Sequence, residues 1–115
     1  MRSAEKPLVY LACPYSHPNK RVRNKRFKAV NLAAGRLMAK GHMVFSPISH
    51  SHPISEVCKL PTDWAYWEEF DRAYIVHSNR LVVLTLDGWR ESQGVQAEIK
   101  IATELGLPIE YMEGV

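Results

Sequence analysis

Only two cysteines occur in the chain, Cys13 and Cys58, and they stand far apart with no Cys-x-x-Cys spacing. This scarcity speaks against a disulfide framework and a structural zinc site, and makes a reducing cytoplasm the expected compartment. No stretch approaches the roughly 20 apolar residues of a membrane span. The opening Met1-Arg2-Ser3-Ala4-Glu5-Lys6-Pro7 has charge but lacks the apolar core of a secretory signal. Internal repeats and low-complexity tracts are also missing. What is present is ordinary for a globular protein: 115 residues, 46% hydrophobic and 23% charged, which is one domain by size.

Charge is unevenly spread. Lys20, Arg21, Arg23, Lys25, Arg26 and Lys28 are six of the 15 basic residues, leaving nine basic against 12 acidic elsewhere. The cluster reads either as a solvated helix face or as a surface for phosphates or nucleic acid.

The stretch Arg80 to Leu105 organises the rest. Leu81, Val82, Val83, Leu84 and Leu86 form an apolar run, as expected of a strand buried on both faces in a parallel sheet. A polar loop follows (Asp87, Gly88, Trp89, Arg90, Glu91), and Ser92 is positioned to cap a helix with Val95, Ile99 and Ala102 on its apolar face. Glu98 lies three after Val95 and four before Ala102, a carboxylate turned toward the sheet.

Leu8 to Ala12 reads as a first strand ending at the proline-rich Cys13-Pro14-Tyr15-Ser16-His17-Pro18. A helix is predicted from Asn19 to Lys40 with Gly41 as its stop, and Met43, Val44 and Phe45 as the next strand. Ile48 to Pro61 reads as an irregular, mobile loop over a pocket, in which His50, His52 and Cys58 suggest a metal site only weakly. Thr62 is the expected cap of a helix to about Val76, with Trp64, Trp67 and Asp71 on one side. A last strand follows Gly106. The alternation predicts a three-layer α/β domain, Rossmann-like or flavodoxin-like, with a parallel sheet in the order 2-1-3-4. Ligands would bind where the loops Cys13–Pro18 and Asp87–Glu91 converge on the start of the Ser92 helix.

That helix start, with Ser92 and Gly94, suits an anion such as a phosphate. Glu98 lies six residues on, about 9 Å at 1.5 Å per residue. This is about the span from a sugar phosphate to the anomeric carbon, so Glu98 is a candidate nucleophile and Asp71 a candidate second carboxylate.

Tyr10-Leu11-Ala12-Cys13-Pro14-Tyr15-Ser16, the Asp71 helix and Ser92-Gln93-Gly94-Val95-Gln96-Ala97-Glu98 resemble the nucleoside 2-deoxyribosyltransferase superfamily, including the 2′-deoxynucleoside 5′-phosphate N-hydrolases. The nearest likeness is to a phage and bacterial family of unassigned function that shares the Tyr-Leu-Ala-x-Pro-Tyr-Ser opening. The resemblance implies Glu98 as nucleophile, Asp71 near the reacting sugar and base, and Tyr10 organising the site. It implies Ser92 in place of the aspartate with which transferases hold a free 5′-hydroxyl, hence a nucleoside 5′-monophosphate substrate. Pro14 stands where the hydrolases have a phosphate-binding serine, leaving that contact to Ser16, His17 or Arg21. Tyr15, Trp89 or Trp64 would stack on the base, with Asp87 and Gly94 also lining the site. No cofactor or metal is implied, and the expected assembly is a homodimer or higher homo-oligomer. Two rivals stand beside this reading: a nucleotide-sensing module without turnover, and a nucleic-acid-binding protein using Lys20 to Lys28.

Overall fold

A computed structural model describes residues 6–114. The elements are β1 (Leu8–Ala12), α1 (Lys20–Ala39), β2 (Met43–Phe45), α2 (Pro47–Cys58), α3 (Trp64–Val76), β3 (Arg80–Leu84), α4 (Gln93–Glu104) and β4 (Ile109–Met112). All four strands are parallel, in the order β2-β1-β3-β4. The central strands are buried on both faces, which is why their sequences are continuous apolar runs.

Period-two geometry splits those runs between two cores. Val9, Leu11, Cys13, Val82 and Leu84 face α1, meeting Val30, Ala33 and Ala34. Tyr10, Ala12, Leu81 and Val83 face the other way, onto Ile75 of α3 and Val95, Ile101 and Ala102 of α4. Tyr10 is the exception in an otherwise aliphatic strand centre. Its hydroxyl is carried into the layer between the sheet and α3–α4.

Helix boundaries follow local chemistry. The Asn19 side chain accepts a hydrogen bond from the Arg21 amide and starts α1. Gly41, at φ +92°, turns the chain after it. The Ser92 hydroxyl accepts from the Val95 amide at 3.2 Å, so the predicted cap of α4 is present.

Two expectations are corrected. The stretch Ile48–Pro61 is not an irregular loop but mostly helix α2, with Ser46 as N-cap and Pro47 in the first turn. Proline there costs nothing, because the amide it lacks would have no partner in a first turn. The helix continues through the interior Pro53 to Cys58, where Lys59 closes it in the left-handed conformation at φ 55°. Thr62 does not cap α3 either. Asp63 holds that position without a side-chain hydrogen bond, and the Thr62 carbonyl instead accepts one from the Ser16 hydroxyl at 2.5 Å.

The basic cluster is partly structural. Arg26 donates to the Ser16 carbonyl and to the Asp87 carbonyl, both at 3.1 Å, and so ties the loop after β1 to the loop after β3. Arg23 donates to the carbonyls of His17 and Pro18, and Lys20 pairs with Glu56 at 3.4 Å.

Gly88 explains how the second of these loops admits Arg26. Its φ is +90°, and a Cβ there would sit 2.9 Å from an Arg26 guanidinium nitrogen. Gly88→Ala is expected to destabilise by about 1–3 kcal/mol. Gly35→Ala, in mid-helix with open space around it, is expected to stabilise by about 0.5–1 kcal/mol. Urea denaturation of the two variants checks both signs.

Candidate active site

A cavity of about 240 Å³ opens beyond the carboxyl ends of β1 and β3, at the switch point of the sheet. Four segments wall it. The loop after β1 contributes Cys13, Tyr15 and Ser16, and α2 contributes Pro47, Ile48, Ser51, His52 and Ser55. Trp64, Trp67 and Asp71 come from α3, and Ser92, Gln93, Gly94 and Glu98 from α4 and its cap.

The innermost group is Glu98, 4% exposed, whose carboxylate accepts a hydrogen bond from the fully buried Tyr10 hydroxyl. Helical spacing brings it there: Val95, Ile101 and Ala102 bind α4 to the sheet, and Glu98 shares their side. Asp71 approaches the same hydroxyl from α3. Burial raises the Glu98 pKa well above the usual carboxylate range. The nearby Asp71 charge adds to the rise, and the Tyr10 hydrogen bond opposes it. Burial likewise pushes Asp71 up to about 7, again opposed by Tyr10. Tyr10 is itself raised by burial and then by the two carboxylates, so it keeps its proton and remains a donor. Two carboxyl groups that resist ionising beside one phenol make a site able to hold a carboxylate and a carboxylic acid together near neutral pH.

Cys13 is no rival nucleophile. Burial pushes its thiol pKa strongly upward, the Glu98 charge adds to this, and Arg26 opposes it only in part.

Of the residues singled out from sequence, Glu98, Asp71 and Tyr10 are brought together, and Ser92, Gly94, Tyr15 and Ser16 line the same cavity. Asp87 and Trp89 do not. Asp87 is exposed and offers its carbonyl to Arg26, while Trp89 packs on Tyr111, with ring centroids 5.5 Å apart. Trp64 lies against the first turn of α4, in van der Waals range of where a Gly94 Cβ would be. His50 and His52 diverge: His50 packs on Phe45 and Tyr74, whereas His52 meets Phe27 and Tyr15. Among the described residues, no three His, Cys, Asp or Glu side chains gather into a metal-holding group. The segment Ile48–Pro61 was expected over the pocket as a loop; that its wall is a helix, and which of its side chains line the cavity, was missed from sequence. The signal that could have found it was the Ser46-Pro47 pair, a helix cap followed by a first-turn proline.

Among the described residues no Lys or Arg lines the cavity, while Asp63, Asp71, Glu91 and Glu98 do. Ser16 spends its hydroxyl proton on the Thr62 carbonyl. An anion entering here would therefore meet the α4 amides before any cation.

These features define a Rossmann-like parallel α/β domain with a buried glutamate–tyrosine pair and a half-buried aspartate beside it at its switch point. The chain belongs to DUF1937, a domain of unknown function, which matches residues 7–114. No curated protein matches it. Among the described residues, no helix is long and apolar enough to cross a membrane.

Proposed function

We propose that this protein cleaves the N-glycosidic bond of a (deoxy)nucleoside 5′-monophosphate through Glu98 and releases the base. The observation that carries the reading is Glu98 at the cavity floor, held by Tyr10 beside Asp71. The Glu98 carboxylate attacks the anomeric carbon as the bond from carbon to base nitrogen breaks, and the base leaves with the electron pair. Both carboxyls are raised by burial, and the reactive form is the one in which the pair's single proton lies on Asp71 and Glu98 is ionised; Asp71 then gives that proton to the departing base. Water then attacks the anomeric carbon of the glycosyl-enzyme ester and gives its proton to the Asp71 carboxylate, which frees Glu98 as a carboxylate and yields the sugar phosphate. The phosphate would rest on the amides at the start of α4, near Ser92 and Gly94, with Trp64 and Tyr15 flanking the base.

A second reading is favoured by the acidic lining of the cavity. In it the 5′ end is a free hydroxyl, and the glycosyl group passes to another base. Incubation with a panel of ribo- and deoxyribonucleosides and their 5′-monophosphates, followed by chromatography of free base, separates the two. Release from monophosphates supports hydrolysis of nucleotides, and release from nucleosides only when an acceptor base is added supports transfer. No release from any member, with ligand-dependent thermal stabilisation retained, would leave a binding module and overturn catalysis.

A further inference from the structure

The reaction drawn above uses nothing from α2, yet α2 supplies a buried imidazole to the cavity. His52 is 8% exposed, and its Nδ1 lies 2.5 Å from the Tyr15 hydroxyl. Its ring is clamped on two sides, by Phe27 at 4.3 Å between centroids and by Tyr15 edge-on at 5.4 Å. Tyr15 and His52 both border the cavity. Among the described residues, no protein group hydrogen-bonds the other ring nitrogen, Nε2.

The surroundings dictate which nitrogen carries the proton. Burial raises the Tyr15 pKa; the Arg23 charge from α1 counters this and Glu56 adds to it. Arg23 Nη1 is held by the His17 and Pro18 carbonyls, and its buried Nε has no hydrogen-bond partner among the described residues. A nearby positive charge favours a phenol whose lone pairs face it, and the one hydrogen bond of the Tyr15 hydroxyl, to His52 Nδ1, then takes the phenol proton. Burial favours the neutral imidazole; Glu56 of α2 opposes this, and Arg23 and Lys20 of α1 reinforce it. A neutral imidazole that accepts at Nδ1 carries its hydrogen on Nε2.

We infer that His52 is a ligand-contacting residue, presenting Nε2–H as a fixed donor to an acceptor atom, a ring nitrogen or carbonyl oxygen, on the nucleobase of the bound molecule. Tyr15 is its positioning residue, and Arg23 orients Tyr15. The inference rests on the reading of the cavity as a nucleoside or nucleotide site, and it assigns that site its base-reading wall.

The test uses the full-length chain with Glu98→Gln as background, so that ligand persists, and the same panel of nucleosides and 5′-monophosphates as probes in calorimetry. His52→Gln keeps an amide donor near the Nε2 position and is expected to bind within about twofold of the background. His52→Asn, whose amide falls near Nδ1, and His52→Phe are expected to bind about five- to tenfold more weakly. Long-range ¹H–¹⁵N NMR of the free protein should show the Nε2–H tautomer, and Tyr15→Phe should mix it with the other. Binding of the panel that His52→Phe leaves unchanged, or an Nδ1–H tautomer in the parent, overturns the inference while the Glu98 chemistry stands. Failure of every probe to bind the parent overturns both.

Discussion

Glu98→Gln is expected to reduce base release at least about a thousandfold, equivalent to about 4 kcal/mol of transition-state stabilisation, and to raise thermal stability at alkaline pH. The first effect follows because an amide cannot form the glycosyl ester. The second follows from burial. The Glu98 pKa is raised in the folded protein, chiefly by desolvation. The folded state therefore binds that proton more tightly than the unfolded chain does. Between the unfolded and folded pKa values stability falls as pH rises, and above both the loss is complete. Glutamine keeps an acceptor for Tyr10 and has no charge to desolvate. The variant should melt several degrees above the parent at pH 8, with the gap closing toward pH 4.5. Calorimetric scans at the two pH values, paired with chromatographic rates, check both halves. A variant that melts at or below the parent at pH 8 would remove the physical basis for a strained, desolvated carboxylate.

Tyr10→Phe is expected to lower kcat/KM at pH 7 by about ten- to a hundredfold while the chain stays folded. Tyr10 donates to Glu98 and opposes the upward pull of burial on both carboxyls. Without it, both pKa values climb further, and the carboxylate fraction of Glu98 falls tenfold for each pH unit below its pKa. The parent profile should be a bell whose limbs belong to the Asp71–Glu98 pair jointly. In Tyr10→Phe the acid limb should move to higher pH. Asp71→Asn should flatten the alkaline limb, since the pair then no longer holds a proton donor beside an ionised Glu98. It should also relieve a loss of stability that sets in as pH rises from about 4 to 7. With Asp71 raised to about 7 but only partly buried, that loss is on the order of 2 kcal/mol. Initial rates from pH 4.5 to 9 test the profile. An acid limb near pH 4 in the parent would contradict the buried pair.

How far the chain could be read in advance varied with the kind of signal. The run Leu81–Leu84 announced a strand buried on both faces because no solvent-facing position interrupts it. Ser92 announced the start of α4 because its capping bond is local, three residues long. Glu98 was legible as an anomaly among apolar neighbours, and the resemblance supplied its proposed role. Asp87 and Trp89 were misplaced because loop residues near a site in sequence can face either way. Here the Arg26 contact to the Asp87 carbonyl and the packing of Trp89 on Tyr111 take them outside the cavity lining. The α2 wall was obscured by Pro53 and by two histidines whose divergence appears only once the helix exists.

Sequence alone determined the order of elements apart from α2, the parallel sheet and the candidacy of Glu98, because each depends on periodicity or caps acting over a few residues. Only the tertiary structure decided that the buried Tyr10 hydroxyl donates to Glu98 with Asp71 nearby, that His52 borders the cavity beside Tyr15, and that Arg23 and Arg26 act as loop anchors. Those contacts join residues 37 to 88 positions apart, or depend on which carbonyls a long side chain can reach. Desolvation, which raises the two carboxyl pKa values, is a property of everything packed around a group and has no signature in its neighbours along the chain.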